Sequence, residues 1–181
     1  GIPEEPTDKV FLSETELNAL LNFDLSAHPR LDRARDLFIM GAWTGLRFGD
    51  LSRIQPEHIE GDYIHIRTSK TGEPVTIPLH PQVRFLLAKY GGNLPPAISN
   101  QKLNDYIKEA AAMVPELQLR VPTGRTVGGV RKEEARCKWE LVTTHTARRS
   151  FATNLYRDGQ PIRTIRAITG HRTDAVFLRY V

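Results

Sequence analysis

The sequence predicts a mainly helical α+β domain in which short antiparallel β-hairpins accompany the helices. Most segments with apolar periodicity are long enough for helices, whereas two five-residue segments alternate apolar and polar residues as half-buried strands do. Hydrophobic residues make up 40% of the 181-residue chain, which is enough for one core. Charged residues make up 25%, which is ordinary for a folded protein. We therefore expect one compact domain.

The domain is predicted to cover residues 13–181. Residues 1–12 are rich in proline and charge and are predicted to form a linker, so we expect the chain to be a piece of a longer protein. Ser13 and Glu16 have capping-box spacing, which predicts a first helix that ends near Asn22. Further helices are predicted over residues 31–43, 48–54, 81–89, 100–113, 145–157, 161–168 and 173–180.

Two hairpins are predicted. Residues 63–67 and 75–79 alternate apolar and polar side chains, and the turn sequence between them places Lys70 at the tip. Residues 117–121 and 139–143 are predicted to pair as a second hairpin. Its long connection is basic and glycine-rich, so residues 123–135 are predicted to be disordered in the free chain.

Charge and cysteine content restrict the class of protein. The chain has 25 Lys and Arg against 21 Asp and Glu, a formal net charge of +4, and many of its arginines crowd the last third, which is compatible with a nucleic-acid partner. Cys137 is the only cysteine, so no internal disulfide can form and a reducing cytoplasm is expected. The sequence offers no metal-binding motif and no long apolar run, so neither a metal, another cofactor nor a membrane is predicted.

Six residues have the chemistry that attack of a tyrosine on a phosphodiester needs. The non-bridging oxygens need cations, the tyrosine must lose a proton, and the leaving oxygen must gain one. The candidates are Arg47, Lys70, His145, Arg148, His171 and Tyr180. Each has an ordinary alternative. Arg47 with Asp50 fits a surface ion pair, Lys70 a solvated turn residue, and His145 and Arg148 a chance spacing, while His171 fits a helix cap and Tyr180 a core anchor.

The order and type of these residues resemble the tyrosine recombinase (phage integrase) family. The resemblance rests on four segments: Thr44-Gly-Leu-Arg-Phe-Gly-Asp50, Ser69-Lys-Thr-Gly72, His145-Thr-Ala-Arg148 and Gly170-His171 followed by Tyr180. It implies that Tyr180 is the nucleophile, that the other five candidates surround the scissile phosphate, and that Asp50 supports them. The Thr143–Phe151 segment is also similar to integrases of Bacteroides-type mobile elements.

The resemblance implies a site-specific recombinase that integrates or excises DNA through a 3′-phosphotyrosyl intermediate and acts as a tetramer on double-stranded DNA. Arg149, Arg131, Lys132 and Arg172 are predicted to contact DNA. It also implies that an N-terminal DNA-binding domain and a C-terminal tail are absent here, so we expect a monomer with Tyr180 mobile or outside attack distance without DNA. A type IB topoisomerase, a non-catalytic DNA-binding module and a helical protein–protein module are the alternatives.

Overall fold

The computed structural model describes residues 9–181, and it confirms a mainly helical α+β fold with small antiparallel sheets. Residues 1–8 of the predicted linker lie outside the described part. The helices are α1 (Glu14–Asn22), α2 (Pro29–Thr44), α3 (Phe48–Leu51), α4 (Pro81–Lys89), α5 (Asn100–Met113), α6 (Thr144–Arg157), α7 (Ile162–Thr169) and α8 (Asp174–Tyr180). The strands are β1 (Ile59–Glu60), β2 (Tyr63–Arg67), β3 (Pro74–Pro78), β4 (Arg120–Val127) and β5 (Val130–Cys137). None of the helices within residues 9–181 is long and apolar enough to cross a bilayer.

Helix α2 is the centre of the core. It packs against α4, α5 and α6, and its residues from Ala34 to Thr44 are all buried. The buried charge on this helix is compensated. Arg35 donates to Asp36 and to the backbone oxygens of Leu20 and Phe23, which also fixes the end of α1. A buried charge without such partners would be strongly destabilising, so this network makes the polar residues compatible with the core.

Strands β1, β2 and β3 form one antiparallel sheet in that order, and its register gives one apolar face. Ile64 pairs with Ile77 and Ile66 pairs with Val75, and all four side chains are buried. The alternate residues of β2 and β3 are exposed. The period-2 pattern of the sequence therefore predicted this hairpin correctly.

The second hairpin differs from the predicted one. Strand β4 pairs with β5 through the two-residue turn Gly128-Gly129, and residues 138–141 form a 3₁₀ helix where a strand was expected. The segment that was predicted to be disordered is thus the body of a regular hairpin. Seven of the eight residues of β5 are exposed, so this strand carries no apolar alternation from which it could have been recognised.

The start of the domain also differs from the prediction, because the last residues of the presumed linker belong to the fold. Leu12 is fully buried, its N–H donates to Ser150 Oγ at 2.8 Å, and its carbonyl accepts from Asn154 Nδ2 at 2.9 Å. The cationic groups of Lys138 and Arg157 both lie near the Phe11 ring. Residues 11–12 therefore hold α6, the helix that carries His145 and Arg148.

Candidate active site

Arg47 lies where α2 gives way to α3. Gly45 ends α2 with φ of 70°, a conformation that glycine adopts at little cost. A Cβ at this position would lie 2.3 Å from Phe151 Cδ1, so the absence of a side chain also allows this turn to contact α6. Arg47 is thereby placed close enough to Arg148 on α6 for their charges to interact.

Asp50 does not pair with Arg47, as the sequence had suggested, but supports the turn that carries Lys70. Asp50 Oδ1 accepts from Arg53 Nη2 at 2.6 Å and from the Ser69 N–H at 2.8 Å. The i,i+3 spacing to Arg53 puts both on the same side of the short helix, whereas Arg47 precedes it in an extended conformation. Lys70 is exposed at the tip of the β2–β3 hairpin.

Arg148 is half-buried on α6 and points toward the end of α7. Its Nη2 group donates to the backbone carbonyl of Thr169, while its Nε group is buried and has no acceptor in the part of the chain that the structure describes. Burial lowers the pKa of Arg148, and the charge of Arg47 lowers it further. The guanidinium groups of Arg47 and Arg148 repel each other, and the half-buried position of Arg148 weakens the screening by water. An anion bound beside both groups would offset this repulsion, so the pair favours an anionic ligand.

The turn after α7 positions His171. Gly170 ends the helix in the left-handed conformation with φ of 78°, and the Thr169 hydroxyl lies 2.7 Å from His171 Nδ1. Arg166 donates from Nε to the His171 carbonyl at 3.0 Å, from Nη1 to Asp174 at 2.5 Å, and from Nη2 to the Arg172 carbonyl. One guanidinium thus fixes the whole turn.

Thr169 and Arg166 were not predicted to be site residues, and no local sequence pattern distinguishes them as such. Arg166 and Arg163 are both arginines on the same short helix, three residues apart, and the motif spacing does not separate them. Only the return of the chain after Gly170 brings the turn against Arg166 and leaves Arg163 exposed.

Tyr180 was expected to be mobile or outside attack distance without DNA, but the structure packs it against His171 and Arg149. Helix α8 starts with a Thr173 cap and is anchored by Phe177, which is fully buried. The Tyr180 ring lies 4.4 Å from the His171 ring between centroids, and the Arg149 guanidinium lies 4.7 Å from the Tyr180 centroid. These contacts hold the last turn of α8 against the turn after α7 and against α6.

Arg149 was predicted to contact DNA, but its side chain is directed to α8. Its Nε group donates to the Tyr180 carbonyl at 3.1 Å, and the side chain is half-buried under α8. Since one edge and one face of the guanidinium are engaged with Tyr180, we assign Arg149 to the positioning of that helix.

A cavity of about 460 Å³ collects most of the candidates. Arg47, Lys70, Arg148 and His171 line it, and Tyr180 lies beside it in contact with His171. The cavity lining also includes Arg166 and Arg172, and Glu73 is its one carboxylate among the described residues. His145 is not part of this lining, because it is exposed on the first turn of α6 whereas Arg148, one turn on, folds toward α7.

The cavity is electropositive, and the charges of its arginines affect the pKa values of His171 and Tyr180. Burial lowers the pKa of His171 to about 4, and the charges of Arg148 and Arg47 add to the effect, so the ring is neutral near pH 7. Burial raises the pKa of Tyr180, while the same two arginines and Arg149 oppose the rise. The arginines therefore favour the tyrosinate that an attack would require.

The other predicted DNA contacts are exposed but do not form one cluster. Arg172 is exposed at the mouth of the cavity. Arg131 and Lys132 are exposed on β5, outside the cavity lining. Among residues 9–181, no group of His, Cys, Asp or Glu side chains is arranged to hold a metal ion.

Comparison with known proteins places this arrangement in a family. A probable integrase/recombinase, YoeC of Bacillus subtilis (strain 168), is 24% identical over 148 residues, which cover 80% of this chain and 75% of that protein. The XerA recombinase structure has a TM-score of 0.60 at 21% identity over 95% of this chain and 60% of its own. The catalytic domain of bacteriophage HP1 integrase has a TM-score of 0.58 at 19% identity over 96% and 87%.

A third structure, the Tn1549 transposon integrase (residues 82–397) in complex with circular intermediate DNA, has a TM-score of 0.63 at 17% identity over 98% of this chain. The chain spans 62% of that protein and 60% of XerA, so it corresponds to a part of such proteins. The phage integrase family model matches residues 10–181, which include both arginine segments, the glycine–histidine turn and Tyr180. The chain therefore belongs to the phage integrase family.

Proposed function

We propose that this chain is the catalytic domain of a site-specific DNA recombinase that cleaves and rejoins duplex DNA through Tyr180. The convergence of Arg47, Arg148 and His171 on one cavity beside Tyr180 carries the proposal. Membership of the phage integrase family and the likeness to an integrase solved with DNA support it. The similarity of the Thr143–Phe151 segment to integrases of Bacteroides-type elements supports a role in mobile-element integration or excision in the bacterial cytoplasm.

In the proposed reaction, the Tyr180 hydroxyl releases its proton to solvent and its oxygen attacks the scissile phosphorus. The bond from phosphorus to the 5′-oxygen breaks, and a 3′-phosphotyrosine forms. Arg47 and Arg148 bind the non-bridging oxygens, whose negative charge grows in the transition state. The Arg148 Nε donor, which has no acceptor among residues 9–181, is available for this purpose. Neutral His171 donates a hydrogen bond to the same phosphate.

The leaving 5′-oxygen must gain a proton, and we assign this step to Lys70. Its turn is held by Asp50 through the Ser69 N–H, while the lysine side chain itself remains exposed and able to reach a bound strand. His145 is assigned to an outer phosphate contact, because it is exposed on α6 and outside the cavity lining. Rejoining is the reverse reaction, in which a 5′-hydroxyl attacks the phosphotyrosine.

We also propose that recombination requires a tetramer on two duplexes, and that the isolated domain is a monomer. Arg172 at the cavity mouth and the exposed pair Arg131 and Lys132 on β5 are proposed phosphate contacts. Replacing Arg131 and Lys132 by alanine should lower the salt dependence of duplex binding, because each lost phosphate contact reduces the slope by about 1. The Arg30→Ala/Lys102→Ala variant removes the same charge elsewhere and is the control.

Covalent trapping on a nicked suicide substrate tests the proposal. The wild-type chain should form a DNA adduct that survives denaturation, and Tyr180→Phe should form none. Tyr156→Phe is the matched control, because Tyr156 also packs against Phe177 but lies on α6. Failure of the wild type to form an adduct would favour a non-catalytic DNA-binding module, and loss of salt-dependent duplex binding as well would favour a protein–protein module.

A second assay separates recombination from topoisomerase activity. A recombinase should form Holliday junctions from two duplexes that carry its site. Relaxation of a supercoiled plasmid without any junction formation would instead indicate a type IB topoisomerase.

A further inference from the structure

Thr169 connects two of the groups that line the cavity. It is the last residue of α7 and is 1% exposed. Its backbone carbonyl accepts from Arg148 Nη2, and its hydroxyl lies 2.7 Å from His171 Nδ1. The last carbonyls of a helix have no partner within the helix, so the interaction with Arg148 also satisfies one of them.

The hydroxyl contact determines which nitrogen of His171 carries the proton. The ring is neutral near pH 7, because burial and the surrounding arginines lower its pKa to about 4. A neutral imidazole has one N–H donor and one acceptor nitrogen. If the Thr169 hydroxyl donates to Nδ1, the proton of the ring is on Nε2; if it accepts from Nδ1, Nε2 carries a lone pair.

The surroundings of Thr169 favour the first arrangement. Within the described residues, the hydroxyl has no hydrogen-bond partner other than His171 Nδ1. If the ring donated to it, the hydroxyl proton would be buried without an acceptor, at a cost of about 1–3 kcal/mol. An Nε2 lone pair would also repel the oxygens of an anionic ligand, whereas an Nε2–H donor would bind them.

We infer that Thr169 is a positioning residue, whose hydroxyl donates to Nδ1 and holds His171 as the Nε2–H tautomer, a hydrogen-bond donor ready for a phosphate oxygen. The phosphate as the acceptor rests on the proposed function, whereas the tautomer stands on the contacts of Thr169 and His171. The same residue keeps Arg148 in register with that donor through its backbone carbonyl.

Nitrogen-15 NMR of the imidazole groups tests the tautomer directly, on the full chain without DNA. Wild-type His171 should show a protonated Nε2 and an unprotonated, hydrogen-bonded Nδ1. Thr169→Ser keeps the hydroxyl and should give the same pattern. Thr169→Val removes the hydroxyl at nearly constant shape, and a population with protonated Nδ1 should appear.

Thr153→Val is the matched control, because Thr153 is also a buried threonine but its hydroxyl has no hydrogen-bond partner within residues 9–181. That variant should leave the His171 signals unchanged. A wild-type spectrum with protonated Nδ1, or a Thr169→Val spectrum that retains Nε2–H alone, would overturn the inference. The wild-type spectrum decides the question even where Thr169→Val fails to fold.

Adduct formation on the suicide substrate tests the consequence for catalysis. Thr169→Val should reduce the rate by about tenfold, the effect of one lost charge-assisted hydrogen bond, and Thr169→Ser should restore it. Wild-type cleavage with no difference between Thr169→Val and Thr153→Val would contradict the positioning role. Absence of wild-type adduct together with the expected tautomer would instead refute the proposed function and leave the tautomer assignment in place.

Discussion

Arg149 holds Tyr180 in two ways: its Nε group donates to the Tyr180 carbonyl at 3.1 Å, and its guanidinium lies 4.7 Å from the centroid of the Tyr180 ring. The first contact fixes the backbone at the end of α8 and the second fixes the orientation of the ring. A cation beside the ring also opposes the effect of burial, which raises the pKa of Tyr180. Arg149, the residue next to Arg148, therefore positions the proposed nucleophile.

Replacing Arg149 by alanine should loosen the last turn of α8. The loss of a cation–π contact and a hydrogen bond corresponds to about 1–2 kcal/mol, so we expect a loss of about 5- to 30-fold in adduct formation. Hydrogen exchange of the amides in residues 176–181 should become faster. Arg179→Ala removes an exposed arginine from the same helix and should change neither measurement. Unchanged exchange in Arg149→Ala would contradict this assignment.

Replacing Asp50 by asparagine should weaken the turn that carries Lys70. Burial favours a higher pKa for Asp50, but the hydrogen bonds from Arg53 and Ser69 outweigh it, so the pKa lies below its ordinary value. The carboxylate is therefore stabilising above the unfolded-state pKa of about 3.9, and this contribution is lost as the pH falls through the lower folded-state pKa.

Urea unfolding from pH 7 to pH 2 measures this effect. Asp50→Asn should be less stable than the wild type by about 1–3 kcal/mol at pH 7 and should approach it at low pH. Asp62→Asn is the control, because Asp62 is a strongly exposed aspartate at the same sheet. A constant difference between Asp50→Asn and the wild type across this range would show that the charge of Asp50 is not responsible.

Replacing Gly45 by alanine should be among the most damaging small substitutions in the chain. The new Cβ would lie 2.3 Å from Phe151 Cδ1, and the residue would keep a positive φ. We expect a loss of about 2–4 kcal/mol in unfolding free energy and a displaced Arg47. Gly49→Ala should be neutral or slightly stabilising in the same denaturation experiment, because its Cβ meets no atom within 4 Å and the residue is helical.

Replacing Arg166 by alanine should release the turn that contains His171. The variant loses hydrogen bonds to His171, Arg172 and Asp174 and one of the charges that lower the pKa of His171. We therefore expect a higher His171 pKa in an NMR titration and about a tenfold or greater loss in adduct formation. Arg163→Ala, at an exposed position of the same helix, should leave the His171 pKa unchanged, and an equal shift in both variants would refute the specific role of Arg166.

The neutral state of His171 should make stability depend on pH. The folded-state pKa is about 4, below the ordinary value of about 6.5, so the unfolded chain binds a proton more readily between these values. The contribution of neutral His171 to the free energy of unfolding is therefore complete above about pH 6.5 and is lost as the pH falls toward about 4. Thermal unfolding of His171→Gln should show a shallower decline over this interval, with His28→Gln, at the N-terminus of α2, as control.

Much of the fold and of the candidate site was predictable from local patterns. The capping box at Ser13, the alternation in β2 and β3, and the glycines after α2 and α7 each have a mechanism that acts within a few residues. The β4–β5 hairpin was misplaced because its side chains are exposed and carry no periodic signal. Leu12 was assigned to a linker because its partners, Ser150 and Asn154, lie far away in the chain.

The sequence by itself determined the mainly helical class and the set of groups that a tyrosine-mediated cleavage would require, because residue type and order are local properties. Only the tertiary structure decided how they are arranged. Asp50 binds the turn that carries Lys70 and does not pair with Arg47. Arg149 binds Tyr180. Thr169 contacts both Arg148 and His171. These pairings depend on where separate helices meet, and hydrogen bonds select partners by distance and direction, which spacing along the chain does not encode.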